Sequence, residues 1–290
     1  MQPNFGKIYI VATPIGNLSD ITYRAVSVLK NVDLVAAEDT RNTKKLLDYY
    51  DIKKKLISYH EHNKYDKAKN IIDKLKSGLD IALVTDAGTP LISDPGYELV
   101  NMLQNEDIKV ESIPGPCALI NALVLSGIDT REFIFVGFLS IDNKERKNKL
   151  NSLVSETRTM VFYMSPHKLL KFLADMKDVF GSERNISICR EMTKIHEEVI
   201  KDNIENVIQH FTEHDIKGEF VVVVEGKNEK ELKIENEEYY NNIDINDLYN
   251  DLSKQGKNDK EIIKEIAKLR GVAKNDIYKL LKVKENKNGS

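Results

Sequence analysis

The sequence predicts an α/β fold of two lobes followed by a small helical domain. Three observations carry this expectation. Short β-branched runs alternate with amphipathic stretches up to about Gly226, polar segments rich in Pro and Gly follow several of the runs, and the composition changes after Gly226. Strand, loop and helix repeated in this way give a mostly parallel sheet covered on both faces.

Taken in order, Lys7 to Ala12 reads as the first strand and Thr13-Pro14-Ile15-Gly16-Asn17-Leu18-Ser19-Asp20 as its loop, with Ser19 or Asp20 able to cap a helix over Thr22 to Lys30. Leu34 to Ala37 is a second strand ending in Glu38-Asp39-Thr40-Arg41, and Thr43 to Asp48 is helical. A short strand at Ile57 to Tyr59 precedes a charged helix, Lys67 to Lys76. Ile81 to Val84 is the next strand, Gly96 to Gln104 a helix, and Val110 to Ile113 a strand that runs through Pro114-Gly115-Pro116-Cys117-Ala118 into the apolar helix Leu119 to Ser126. A second α/β set then begins at Phe133 to Phe138. It continues with a helix rich in Lys, Asn and Arg over Lys144 to Ser155, a strand Thr159 to Tyr163, a helix reaching Phe180, a strand Asn185 to Cys189, a helix Ile204 to Phe211 and a last strand Glu219 to Val224. The division expected is an N-terminal lobe over 1–118, a C-terminal lobe over 119–228 and a helical domain over 240–290.

Residues 227–253 carry three basic and eight acidic residues and read as a solvated linker plus a first helix. Residues 254–287 carry eleven basic and five acidic, a net of +6 against −3 for the whole chain. The pattern from Ile262 to Leu281, two short amphipathic helices around Gly271, resembles a helix-turn-helix, and it equally suits a helical cap packed on a lobe. Any nucleic-acid contact must come from a local basic face, because the global charge is slightly negative. The two cysteines, Cys117 and Cys189, are far apart and show no metal or disulfide spacing, which fits a reducing compartment. With neither a signal pattern at the start nor an apolar run long enough to span a bilayer, a cytoplasmic protein with no membrane partner is expected.

Asp86-Ala87-Gly88-Thr89-Pro90-Leu91-Ile92-Ser93-Asp94-Pro95-Gly96 packs two prolines, two glycines, two aspartates and two hydroxyl side chains behind a buried strand. Proline removes backbone donors and glycine permits close backbone approach, so the segment is a shaped loop at a strand's carboxyl end. Taken alone it could be a structural turn. It has company, however: Thr13 to Asp20, Glu38 to Thr43, Pro114 to Ala118, Tyr163 to His167, and the group Arg190, Glu191, Lys194 and His196 also follow strands. In a wound α/β sheet such loops converge on one edge. The chain carries no P-loop, no G-x-G-x-x-G after strand one, no G-x-S-x-G elbow and no H-E-x-x-H, and His60-Glu61-His62 reads as a polar loop, so no metal site is expected.

The segments Val11 to Thr22, Ala37 to Arg41, Thr85 to Gly96, Pro114 to Pro116, Phe162 to His167, Arg190 to Glu198 and Gly218 to Phe220 together resemble the tetrapyrrole methylase superfamily. Within it they are similar to the bacterial enzymes that methylate small-subunit ribosomal RNA. The resemblance spans residues 6 to about 226. It implies the two-lobed α/β fold of class III methyltransferases, a homodimer, S-adenosylmethionine bound between the lobes, and 2′-O-methylation of a cytidine ribose in the decoding region of 16S rRNA. It also implies cofactor contacts at Pro14, Gly88, Thr89, Pro90, Ser93, Pro114, Gly115, Ala118, Tyr163 and Glu219. Methyl transfer to a ribose hydroxyl is an in-line displacement that needs alignment and removal of a proton. Asp39, Asp86, Glu191, Lys194 and His196 are candidates near the cleft, though an ordinary salt bridge explains each taken alone. Asp86 and Asp94 suit either an amino group or loop organisation, and Arg41, Arg190 and Lys194 suit RNA phosphates. Met164, Lys168 and Cys117 depart from the expected Glu, Arg and Ser; Lys for Arg loses a bidentate fork, and Met164 removes a carboxylate. Two other readings stay open: a tetrapyrrole C-methyltransferase sharing the cleft, and a non-enzymatic helix-turn-helix regulator.

Overall fold

The computed structural model describes residues 5–285, with side chains to residue 281. The chain forms two compact units, one of Met1–Val154 with Arg158–Glu225 and one of Ser155–Thr157 with Gly226–Ser290.

The larger unit begins with β1 (Ile8–Val11), α1 (Tyr23–Asn31), β2 (Leu34–Ala37), α2 (Thr40–Tyr49), β3 (Lys55–Ser58), α3 (Lys64–Lys76), β4 (Ile81–Val84), α4 (Tyr97–Asn105) and β5 (Val110–Ile113). The five strands form one parallel sheet in the order β3-β2-β4-β1-β5. The central strands β2 and β4 are buried along their whole length, which is why their sequences are unbroken apolar runs rather than alternating ones. Ile71 and Leu75 of α3 with Leu99 and Leu103 of α4 cover one face of the sheet. Ala25 and Leu29 of α1 with Leu47 of α2 cover the other.

That arrangement positions the site. From the adjacent pair β4 and β1 the chain leaves in opposite directions: β1 leads through α1 to β2 beyond β4, and β4 leads through α4 to β5 beyond β1. The two connecting helices lie on opposite faces, so their loops diverge and leave a crevice at the carboxyl edge, the topological switch point of an open sheet.

The second sheet follows α5 (Ala118–Ser126) and contains β6 (Phe133–Phe138), α6 (Asn143–Asn151), β7 (Thr159–Met164), α7 (Leu169–Phe180), β8 (Asn185–Arg190), β9 (Glu198–Asn203), α8 (Ile204–Glu213) and β10 (Phe220–Val224). Its order is β6-β7-β10-β8-β9; the β6–β7 pairing is parallel and the other three pairings are antiparallel. The mostly parallel expectation therefore holds for the first sheet and fails for the second. There, β8 turns back on itself through residues 191–197 into the edge strand β9, and β10 inserts antiparallel between β7 and β8. Helices α7 and α8 cover one face of this sheet. On the other, α5 packs through Leu119, Ala122 and Leu123 against Val161, Cys189 and Val223.

Helix α6 is tied to α7 by Arg146, which is fully buried. Its Nε donates to Asp175 Oδ2 at 2.7 Å, its Nη1 to the carbonyls of Ser140 and Ile141 at 3.2 and 2.9 Å, and its Nη2 to Asn143 Oδ1 at 2.7 Å. The guanidinium also lies over the Phe172 ring, 4.8 Å from its centroid. This one side chain closes the loop between β6 and α6.

In the smaller unit, α9 (Glu229–Asn242), α10 (Ile245–Lys254), α11 (Asp259–Arg270) and α12 (Lys274–Glu285) surround a core of Ile245, Leu248, Ile262, Ile266 and Ile277. An Asn258–Glu261 capping box starts α11 and a left-handed Gly271 ends it. The region expected to be a linker plus one helix holds two helices. The first of these, α9, buries no residue completely, so it lacks the periodic apolar stripe that would reveal it.

Arg146→Ala should destabilise the larger unit by about 3 kcal/mol, because it removes the buried partner of Asp175 and leaves that carboxylate only Lys147 at 3.7 Å. Urea unfolding of the full chain measures this, and a loss below about 1 kcal/mol would show the pair to be dispensable.

Candidate functional site

A cavity of about 430 Å³ opens at the switch point, walled by loops of the first sheet and by the uncovered part of the second. Its floor is set where β1 and β4 end. Beyond the ladder Thr13 and Gly88 pair once more, Thr13 N–H to Gly88 O at 2.9 Å and Gly88 N–H to Thr13 O at 3.1 Å. Gly88 has φ +84°, a conformation that disfavours side chains.

The loop from Asp86 to Gly96 is held under strain. Leu91 and Ser93 both have left-handed φ, +74° and +70°, at roughly 1–3 kcal/mol each. The side chain of Leu91 is the anchor. It packs against the sheet core and against Gly96, where a Cβ would lie 3.0 Å from the Leu91 side chain. Thr89 Oγ1 donates to Pro116 O at 3.4 Å, tying this loop to the third one. In that third loop Gly115 passes so close to Ala12 that a Cβ would sit 2.9 Å from the Ala12 Cβ.

Three carboxylates gather around buried Thr85. Its hydroxyl donates to Glu38 Oε2 at 2.7 Å, while its carbonyl accepts from Thr13 Oγ1 at 3.1 Å. Asp94 also lies beside this hydroxyl. Burial, reinforced by the negative charges of Glu38 and Asp86 and only partly opposed by the Thr85 hydrogen bond, pushes its carboxyl up to about 6. Asp86 has both oxygens engaged, accepting from Asp39 N–H at 3.2 Å and from Asn42 Nδ2 at 2.9 Å. On the opposite wall Tyr163 Oη accepts from Leu119 N–H at 3.2 Å. Burial, with Cys117 nearby, pushes this phenol up to about 12, so it stays neutral and keeps a proton to donate.

Of the residues expected from the sequence, Asp86, Gly88, Thr89, Ser93, Asp94, Ala118, Tyr163 and Glu219 line the cavity. The others lie behind or beside its wall. Pro14 and Pro90 are buried, and Pro114 and Gly115 shape the third loop. Asp39 is the N-cap of α2 and pairs with Arg41 at 2.6 Å, and its hydrogen bonds to Arg41 hold its carboxyl down to about 2. Glu191 and Lys194 pair at 2.9 Å, and Lys194 also reaches Glu219 at 2.9 Å. Burial raises the Glu191 carboxyl, but Lys194 and the Glu219 N–H outweigh it and hold it below its ordinary value. This group meets the first loop: Asn17 N–H donates to Thr193 Oγ1 at 3.1 Å, and a Cβ on Gly16 would lie 2.6 Å from Lys194 Cγ and 3.0 Å from Met192 O.

The wall also contains residues not anticipated as ligand contacts, among them Ile15, Glu38, Thr85, Phe138, Met192 and Val221. Glu38 and Thr85 follow strands and so were legible by position. Phe138 was not, because its orientation depends on a backbone irregularity in β6. Among the described residues no group of His, Cys, Asp and Glu could hold a metal ion. With Glu38, Asp86, Asp94 and Glu219 all on its wall, the cleft favours a cationic ligand, and Gly88 and Ala118 leave room for backbone groups to approach it.

Comparison with known proteins agrees with this architecture. The family model Tetrapyrrole (Corrin/Porphyrin) Methylases matches residues 7–208. The chain is 47% identical over 276 residues to ribosomal RNA small subunit methyltransferase I of Halalkalibacterium halodurans, covering 95% of this chain and 94% of that one. It is 43% identical over 284 residues to the protein of the same name from Bacillus subtilis, covering 98% and 97%. Among solved structures, diphthine synthase superposes with a TM-score of 0.60 at 14% identity, over 79% of this chain and 94% of that one. Uroporphyrin-III C-methyltransferase from Thermus thermophilus, complexed with S-adenosylhomocysteine, gives 0.55 at 15% identity, over 76% and 97%. The chain belongs to the tetrapyrrole methylase family, and within it to the group of ribosomal RNA small subunit methyltransferase I.

Proposed function

We propose that this protein uses S-adenosylmethionine to methylate the 2′-hydroxyl of a cytidine ribose in the decoding region of 16S rRNA, acting on the small ribosomal subunit in the cytoplasm. The observation that carries the reading is the cavity at the switch point, with the carboxylates of Glu38, Asp86, Asp94 and Glu219 and the small residues Gly88 and Ala118 on a wall drawn from both lobes. The cofactor when bound supplies a methyl group activated by a sulfonium centre. Its positive charges suit the carboxylates of Glu38, Asp86, Asp94 and Glu219, and its polar groups suit the backbone around Gly88, Thr89, Ser93 and Ala118. Tyr163, neutral and fixed by the start of α5, offers a hydroxyl proton. Pro14, Pro90, Pro114 and Gly115 hold the loops that bring these groups together. The RNA substrate is supported by the names of the relatives at 43–47% identity, whereas the tetrapyrrole enzymes share the fold at 19% identity or less.

Within the cleft the acceptor of the ribose proton is Asp94. Asp86 is committed to the loops through both oxygens, Asp39 to a helix cap and Arg41, and Glu191 to Lys194. Asp94 is half-buried, lines the cavity and has a carboxyl raised toward the working pH, as a general base requires. Because carboxylates repel RNA phosphates here, the basic contacts are assigned elsewhere: Arg41, Arg190, exposed lysines of α6, and the helical domain with its net charge of +6 over 254–287. A second copy of the chain is assigned to the outer face of α5, where Ile120, Val124 and Leu125 are exposed beside Phe133. Among the described residues no helix is long and apolar enough to cross a membrane.

Incubating the full chain and S-adenosylmethionine with small subunits from cells lacking the modification should place one methyl group on a ribose near the decoding site, read by mass mapping. Absence of that mark, or transfer to a porphyrinogen carbon instead, would refute the reading. The Asp94 assignment predicts that kcat/KM for S-adenosylmethionine, which reports the free enzyme, rises with pH through about 6 as the carboxyl ionises. Asp94→Asn should remove this limb and lower kcat by about 10²-fold or more; an unchanged pH profile would exclude Asp94. Stability carries the opposite trend. The folded carboxyl binds its proton more tightly than the unfolded one, so unfolding free energy should fall as pH rises from about 4 to about 6, and less so in Asp94→Asn.

A further inference from the structure

Phe138 is a large aromatic side chain, 62% exposed, on the wall of the cavity. Its neighbour Tyr163 is half-buried behind it, with ring centroids 5.5 Å apart and planes at 67°. Phe135 packs edge-on against the same Tyr163 ring at 4.9 Å. Two residues three apart on one strand should point to opposite faces of the sheet. Here both reach the cleft face, and the pairing explains how. Ile134 lies opposite Met160 and Phe135 opposite Val161, but Gly137 lies opposite Phe162 and Phe138 opposite Tyr163, with a register shift between Phe135 and Gly137. Val136 is the extra residue of a β-bulge, and Gly137 takes φ +73° to make it. Without the bulge Phe138 would point into the core packed by Ile134 and Val136. Bulges beside active sites commonly re-aim a side chain in this way.

The backbone beside the ring is also pinned. Immediately after it the loop is pinned by buried Arg146 through the carbonyls of Ser140 and Ile141. On the other side of the cleft, a Cβ on Gly137 would lie 3.7 Å from Ser93 Oγ, so Phe138 stands next to the loop that carries Asp94. An exposed aromatic on a rigid support at the mouth of a site, adjoining the groups assigned to the ribose, has the features of a nucleobase stacking surface.

We propose that Phe138 is the platform on which the base of the target nucleotide stacks, so that its ribose is presented to the Ser93–Asp94 side of the cleft. This rests on the RNA reading given above. Stacking uses the π-face that every base has, so the platform contributes affinity and alignment and does not select cytosine.

The chain has no tryptophan, so Phe138→Trp installs a single fluorescent reporter at the proposed contact. In the full-length protein, Phe138→Ala and Phe138→Leu should lower kcat/KM on unmodified small subunits by about 10- to 100-fold. Affinity for S-adenosylmethionine, measured by calorimetry, should stay within about twofold of wild type. Leu keeps apolar volume but no π-face, so activity retained by Trp and lost by Leu separates stacking from packing. Fluorescence of the Trp variant should be quenched by a decoding-region RNA hairpin. Full activity of Phe138→Ala would overturn the proposal. So would a parallel loss of cofactor affinity, which would give the ring to the cofactor's adenine. If wild type transfers no methyl group to small subunits, the RNA reading itself fails. The fluorescence measurement still decides the platform, because a Trp variant that RNA does not quench has no base stacked on it.

Discussion

The backbone pair between Thr13 and Gly88 is the interaction on which the cleft depends. β1 and β4 have diverged into loops bound for opposite faces of the sheet, yet two hydrogen bonds of 2.9 and 3.1 Å bring them together once more. Around this pair the Thr13 hydroxyl reaches the Thr85 carbonyl, and the Thr85 hydroxyl in turn reaches Glu38. Further along the same first loop, Gly16 and Asn17 lie on Met192, Thr193 and Lys194 of the second lobe. One segment thus fixes the second loop and the far wall together.

This arrangement concentrates strain and like charge where the ligand is to lie. Left-handed Leu91, Ser93, Glu191 and Thr193 are all in loops that form or flank the cleft, and three of them are fixed by a packed side chain or a hydrogen bond: Leu91 by the sheet core, Glu191 by Lys194 and the Glu219 N–H, Thr193 by Asn17 and Glu197. Burial, reinforced by repulsion from Glu38 and Asp86, keeps the Asp94 carboxyl high. A cationic ligand relieves that repulsion, so the same groups that destabilise the empty site favour its occupation.

Much of this was legible in the sequence. Pro and Gly mark a loop because of what they do to φ and to the backbone donor, so the segments at Thr13, Asp86 and Pro114 stand out without coordinates. Unbroken apolar runs such as Leu34–Ala37 and Ile81–Val84 announce buried parallel strands. Strand direction leaves no such mark in composition, hence the mixed second sheet is not legible there, and β9, an edge strand, offers only Val199-Ile200 between Glu198 and Lys201-Asp202. The roles of individual acids were also hidden. Asp39, Asp86 and Glu191 sit near the site as expected, but which of their oxygens is already occupied depends on partners 2 to 47 residues away. The aim of Phe138 depends on one left-handed glycine that reverses the parity of a strand.

If the first loop is the strap that holds both walls, a change confined to it should be felt by the ligand before it is felt by the fold. Gly16 tests this most directly, because it is exposed, yet a Cβ there would lie 2.6 Å from Lys194 Cγ and 2.8 Å from Thr193 Oγ1. The measurement is calorimetric titration of Gly16→Val with S-adenosylmethionine, alongside its thermal unfolding. The account predicts a loss of affinity of about tenfold or more with unfolding little changed, since displacing a wall by a fraction of an ångström spoils positioning without opening the core. Wild-type affinity in this variant would contradict it.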